Sequence, residues 1–190
     1  MGILKIISGI NTAKRAVTHK MGDKMKALTI LQPYAGLIRT GAKTYETRGW
    51  DTKYRGKLLI HAGKNTIPFT QIQSEAISAI SAALNRDKNA FSMCGAFVAI
   101  ADLAEVWQII RGDNEAHLIT RTRGNEPMKH RVITGYELLF GDYRDGRYAW
   151  ELQNVRPIPT PIYCRGNQRL WEATESVVKE ILEALENQGE

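Results

Sequence analysis

The stretch LTILQPYAGLIRTGAKTYETRGWDTKYRGKLLIHAGK, Leu28–Lys64, decides the fold. Lys26–Leu31 (KALTIL) reads as a short strand, ended at Gln32-Pro33-Tyr34 because proline brings no ladder donor. Ala35–Thr40 (AGLIRT) then suits a short helix, and Gly41 is placed to stop it in the left-handed conformation. Thr44–Arg48 is a second strand and Lys57–His61 (KLLIH) a third. The opening is therefore strand, short helix, strand, turn, strand.

The second strand is oddly charged. Alternation puts Thr44, Glu46 and Arg48 on one face and Tyr45 and Thr47 on the other. On a strand Glu46 and Arg48 lie ~6 to 7 Å apart, near enough for their tips to meet. Burying both charges would cost several kcal/mol unless the geometry were ideal, whereas a solvated cleft carries no such cost. The expectation is a cleft with Lys43, Glu46 and Arg48 as its polar core.

Outward from this unit, Ile72, Ala76, Ile80 and Leu84 fall four apart, which predicts an amphipathic helix over Ile67–Leu84 with Pro68 in its first turn. Cys94–Trp107 (CGAFVAIADLAEVW) reads as a long central strand, and the polar Arg111–Lys129 segment as an excursion or long loop. Glu137–Phe140 suits a brief helix or strand. Arg147–Val155 is a strand, and Pro157, Pro159 and Pro161 then impose a rigid extended crossover or edge. Glu175–Leu185 closes the chain as a helix with Val178, Ile181, Leu182 and Leu185 inward. Mostly strands with a few helices indicate an α+β small mixed barrel with flanking helices.

With 190 residues, 43% of them hydrophobic, the chain can build one sizeable core. Its net charge of +6 is concentrated at one end: residues 1–26 carry six cations against Asp23 alone, which leaves the other 164 residues at +1. The charged strand is therefore not one patch of a generally basic surface. We read residues 1–24 as a flexible basic extension and residues 25–190 as the domain with its C-terminal helix. The extension's acid-poor composition also fits an organelle transit peptide loosely, but it lacks a secretory cleavage site, and Ile6 stands where myristoylation needs Ser or Thr. Cys94 and Cys164 are too few for a disulfide framework and suit a reducing cytoplasm. No apolar run approaches the ~18 residues of a membrane span.

Phosphate-loop, dinucleotide and serine-elbow motifs are missing, and the histidines are scattered without metal spacing. No cofactor or metal is expected. Arg-Gly dipeptides recur at Arg48, Arg55, Arg111, Arg123 and Arg165, where glycine lets the backbone turn beyond a guanidinium, as any surface turn also would.

Together with GDYRDGRYAWELQNVRPIPTPIYCRGNQRLW from Gly141 to Trp171, the opening stretch resembles the ASCH domain, a relative of the PUA-like β-barrels. The G-x-K-x-x-E-x-R core is Gly41, Lys43, Glu46 and Arg48, beside the downstream YAW and CRG motifs. The resemblance implies a PUA-like barrel whose cleft binds RNA or a modified nucleoside. Lys43, Arg48 and Arg55 would meet phosphates, Tyr34 or Trp50 would stack on a base, Glu46 or Gln32 would read a polar edge, and His61 would join them. Tyr148 and Trp150 are expected in the core, with Gln168 and Trp171 closing the barrel. Some small relatives are amidohydrolases that deacylate N4-acetylcytidine using a Lys, a Thr three residues later and a distant Glu. Here Lys43 is followed by Glu46 at that position, so such an activity would need other roles, Glu46 as general base and Lys43 as oxyanion stabiliser; a metal-free ribonuclease would use Lys43, Glu46, Arg48 and His61 as acid, base and phosphate clamp. A plainer reading makes Glu46 and Arg48 braces of a protein-interaction domain.

Overall fold

Strand β1 (Lys26–Gln32) ends at Pro33, and helix α1 (Tyr34–Arg39) follows at once. The computed structural model describes residues 24–87, 89–120 and 127–187, so the basic extension expected over 1–24 lies, Lys24 excepted, outside the described residues, as does Arg123. Gly41 leaves the helix at φ 75°, the left-handed conformation that lacks a steric penalty only for glycine. The backbone N–H groups of Ala42 and Lys43 then both donate to the Leu37 carbonyl, turning the chain into β2 (Tyr45–Arg48). Strand β3 (Gly56–Thr66) runs further than Lys57–His61.

The helix expected over Ile67–Leu84 starts later. Phe69–Gln71 is a single 3₁₀ turn, Ile72 returns to extended backbone, and α2 covers Ser74–Leu84. Ile72, Ala76, Ile80 and Leu84 are buried all the same, because an extended residue ahead of the helix still lands on its apolar side. Strand β4 (Ala96–Arg111) follows. The polar stretch beyond it is not one long loop: β5 (Ala116–Ile119) pairs with β4 and with β6 (His130–Ile133). This hairpin is hard to read because β6 presents His130, Arg131 and Val132 to solvent.

After α3 (Gly135–Leu139), strand β7 (Tyr148–Tyr163) continues through all three prolines instead of stopping at Val155. They fall beyond Glu151, the last β7 residue paired with β2, so one side of the strand asks for no ladder donor there. β8 (Leu170–Glu172) and α4 (Glu175–Glu186) complete the fold.

The sheet order is β2-β7-β4-β3-β1-β8, with β1 and β3 parallel and the other pairs antiparallel. This is an α+β architecture, but the barrel expected from the resemblance does not close. β2 and β8 are the ends of the sheet, and no strand pairing joins β2 to β1. β1 pairs with β8 only through Lys26, Ala27 and Leu28, so the next backbone groups on that edge are left for side chains. One face of the sheet buries Leu28, Ile60, Val98 and Trp150. The other buries Leu59, Phe97 and Ile158 under Ile181 of α4.

A third cluster locks α1 against α2 through Leu37, Ile80 and Leu84. Within it, a Cβ on Gly36 would lie 2.6 Å from the Ala90 carbonyl oxygen and 2.8 Å from Leu84 Cδ2. Arg39, buried beside it, donates from one terminal nitrogen to the carbonyls of Val98 at 2.7 Å and Ile158 at 2.6 Å. Gly36→Ala should therefore lower unfolding stability by ~1 to 3 kcal/mol despite alanine's better helix propensity. Urea denaturation checks this; a stabilised variant would mean that α1 does not pack this tightly.

Candidate ligand cleft at the open seam of the sheet

Between β2 and β1, side chains stand where a ladder would otherwise be. Glu46 sits opposite Trp150 in the β2–β7 register, so Glu46 and Arg48 face the Trp150 side while Tyr45 packs with Trp107 and Tyr143 on the other. Glu46 Oε1 is 3.1 Å from Arg48 NH2, and Oε2 is 3.6 Å from Lys43 Nζ. Each cation also has a carbonyl: Lys43 Nζ donates to Phe140 O at 2.6 Å, and Arg48 NH2 donates to Thr29 O at 3.0 Å. Thr29 lies just past the last β1 residue paired with β8, so Arg48 spans the seam between the two ends of the sheet.

This set is more enclosed than a solvated cleft. Lys43 is 1% exposed and Glu46 7%, while the Arg48 side chain keeps 24% of its surface. A buried pair is tolerated only when further hydrogen bonds compensate for lost water, and the two carbonyls meet that condition. One polar atom is left over: Arg48 Nε is buried and has no acceptor among the described residues. Tyr34 forms the adjacent wall, its ring centroid 5.6 Å from Lys43 Nζ. Burial, and secondarily Glu46, raises the Tyr34 hydroxyl's pKa, so it stays a protonated donor.

The start of β2 is held from outside. Glu137 of α3 accepts from the Thr44 N–H at 2.8 Å, from its hydroxyl at 2.9 Å, and from the Tyr45 N–H at 3.3 Å. Tyr143 donates to the same carboxylate at 3.2 Å, and burial followed by Glu137 drives its own pKa far up. An open groove of ≈ 480 Å³ runs past Tyr34, Gly141, Asp142 and Tyr143, with Arg111 and Arg144 on its rim. The Arg144 guanidinium beside Asp142, chief among several causes, holds that carboxyl below its usual range.

Of the residues expected in the cleft, Tyr34, Lys43, Glu46 and Arg48 come together. Half-buried Trp50 packs edge-on against Trp150, with centroids 4.6 Å apart, which places it beside the same wall. The others are engaged elsewhere. Gln32 is fully buried; its amide donates to Ala90 O at 2.7 Å and Met93 O at 2.9 Å and accepts from the Gly36 N–H at 2.9 Å, bracing the β1–α1 corner. Arg55 is bonded to Glu105 and to the carbonyls of Thr52 and Tyr54. His61 points to the opposite face of the sheet, between Phe97 and Trp171, with Nε2 3.2 Å from Cys164 O. Sequence reasoning passes over Thr29, Phe140, Glu137 and Tyr143. Two of these act through main-chain carbonyls, which no residue type announces.

No group of three or more His, Cys, Asp or Glu among the described residues is arranged to hold a metal ion. Burial lowers the pKa of His61, outweighing its backbone hydrogen bonds. The unfolded chain, with His near 6.5, then takes up a proton before the folded one does, so stability falls as pH drops below about 6.5. His61→Gln should flatten the pH dependence of urea midpoints below that value; an unchanged slope would show that His61 is not held neutral.

No curated protein matches the chain. The family model of the ASCH domain matches residues 28–160, more than two thirds of the sequence, and takes in the whole seam from Thr29 to Phe140. The chain therefore belongs to the ASCH domain family.

Proposed function

We propose that the protein binds RNA or a modified nucleoside at the seam, with Arg48 as the group that meets the ligand. The observation behind this reading is Arg48 Nε, a buried donor without an acceptor on the most exposed member of an otherwise enclosed ion set. A base carbonyl or ring nitrogen is the kind of acceptor it lacks, and Tyr34 and Trp50 offer aromatic faces nearby. Lys43 serves as a positioning residue: its ammonium is committed to Phe140 O and Glu46, which fixes the carboxylate beside Arg48.

That commitment also weighs against a metal-free amidohydrolase, in which Lys43 would have to meet a developing oxyanion, and the place of His61 between Phe97 and Trp171 weighs against a ribonuclease that would use it together with Lys43, Glu46 and Arg48. The cysteines, both free, suit a cytoplasmic protein. No helix among the described residues is long and apolar enough to cross a membrane.

Titration of cytidine, N4-acetylcytidine and short single-stranded RNA by calorimetry tests the reading. Arg48→Ala and Arg48→Lys should each weaken binding about tenfold or more, the loss of a charge-assisted hydrogen bond of ~1.5 to 3 kcal/mol. Wild-type affinity in both would remove the seam as the binding site. N4-acetylcytidine turnover abolished by Lys43→Met would replace binding with catalysis. Residues 1–24 carry four net positive charges, so deleting them should make RNA binding less steeply salt-dependent while leaving nucleoside affinity unchanged.

A further inference from the structure

On the face of the sheet turned away from the seam, a cavity of ≈ 730 Å³ opens over His61 and Thr29. Its charged lining residues are Lys64 and Arg165; no acid lines it. Both are exposed and make no ion pair among the described residues. Elsewhere in the domain the cations are mostly spoken for: Lys26 by Glu172, Lys57 by Asp102, Arg39 by Asp87 and Arg144 by Asp142. Two unpaired cations facing one cavity leave an uncompensated positive field there.

The floor is built to stay low. A Cβ on Gly166 would stand 2.5 Å from His61 Cε1 and 2.7 Å from Thr29 Oγ1, so no side chain fits between the 164–166 turn and the sheet. Gly63 and Gly95 also border the cavity, which leaves bare backbone for a ligand to approach. His61 is 1% exposed; Nε2 is engaged by Cys164 O, and Nδ1 is buried without a partner, a polar atom under the turn that the fold itself does not use. Tyr163, which also lines the cavity, is 70% exposed as a residue.

We propose that this cavity is a second ligand site, distinct from the seam, that takes the phosphate of a nucleotide between Lys64 and Arg165 and its base against Tyr163. Two cations without an acid select an anion, the glycine floor lets it come close, and the exposed ring adds a flat apolar face. The volume lies within the range of small-molecule sites. Arg165 belongs to one of the Arg-Gly dipeptides, and here the following glycine has a stated use: it allows the turn to lie flat on His61.

The test compares cytidine 5′-monophosphate with cytidine by calorimetry. Wild type should bind the monophosphate at least about tenfold more tightly. The double variant Lys64→Ala/Arg165→Ala, which changes only exposed side chains, should lose that margin, whereas Arg48→Ala should keep it. A margin that survives the double variant, or is absent from wild type, would overturn the proposal. A margin lost in Arg48→Ala instead would also overturn it, by placing the phosphate at the seam. A failure of nucleoside binding at the seam leaves the prediction for Lys64 and Arg165 intact, so the two readings fail separately. Displacement of bound monophosphate by a short RNA assigns the phosphate to a strand, and its retention assigns it to a free nucleotide; either result requires Lys64 and Arg165.

Discussion

A carboxylate held between two cations bridges the place where this sheet does not close. Strand pairing runs from β2 through β7, β4, β3 and β1 to β8 and never joins β2 to β1. Arg48 reaches Thr29 across that gap, Glu46 holds Arg48, and Lys43 ties Glu46 to the Phe140 carbonyl. A backbone ladder would have sealed the seam with main-chain hydrogen bonds. Side chains bridge it instead, and they leave one buried donor, Arg48 Nε, unsatisfied among the described residues.

The physical balance explains why the three members differ in exposure. Lys43 and Glu46 are withdrawn from water and need each other together with a carbonyl, since breaking such a pair by removing one partner typically costs ~3 to 5 kcal/mol. Arg48 keeps part of its side chain in contact with water, so its charge is less costly to hold there. One short motif, G-x-K-x-x-E-x-R, thus carries both the enclosed pair and the more exposed guanidinium. The Glu137 carboxylate supports the same strand from outside by taking the N–H groups of Thr44 and Tyr45.

The opening strand–helix–strand unit is legible in the sequence because Pro33 and Gly41 punctuate it chemically, and the α4 stripe of Val178, Ile181 and Leu185 is legible from its period. The β5–β6 hairpin is not, since a strand exposed on its outer side has little apolar alternation to read. The end of β7 at Val155 is misplaced, but the extended edge read from its prolines is present, because proline is harmless where one neighbouring strand is missing. In the site, Lys43, Glu46 and Arg48 are legible as an anomaly of charge on a strand, while their degree of burial depends on Phe140 and Thr29 carbonyls supplied from distant parts of the chain. Gln32, Arg55 and His61 lie close in sequence to that trio, but strand alternation and corner bonding send each elsewhere.

On the proposal made above, the seam is a receptor and Arg48 Nε is its unsatisfied donor. A crystal structure of the protein with cytidine or N4-acetylcytidine bound tests it most directly. The base should lie in the seam, with an acceptor atom within about 3.2 Å of Arg48 Nε and Lys43 still on the Phe140 carbonyl. A nucleoside bound away from the seam, with Arg48 Nε still without an acceptor, would contradict it.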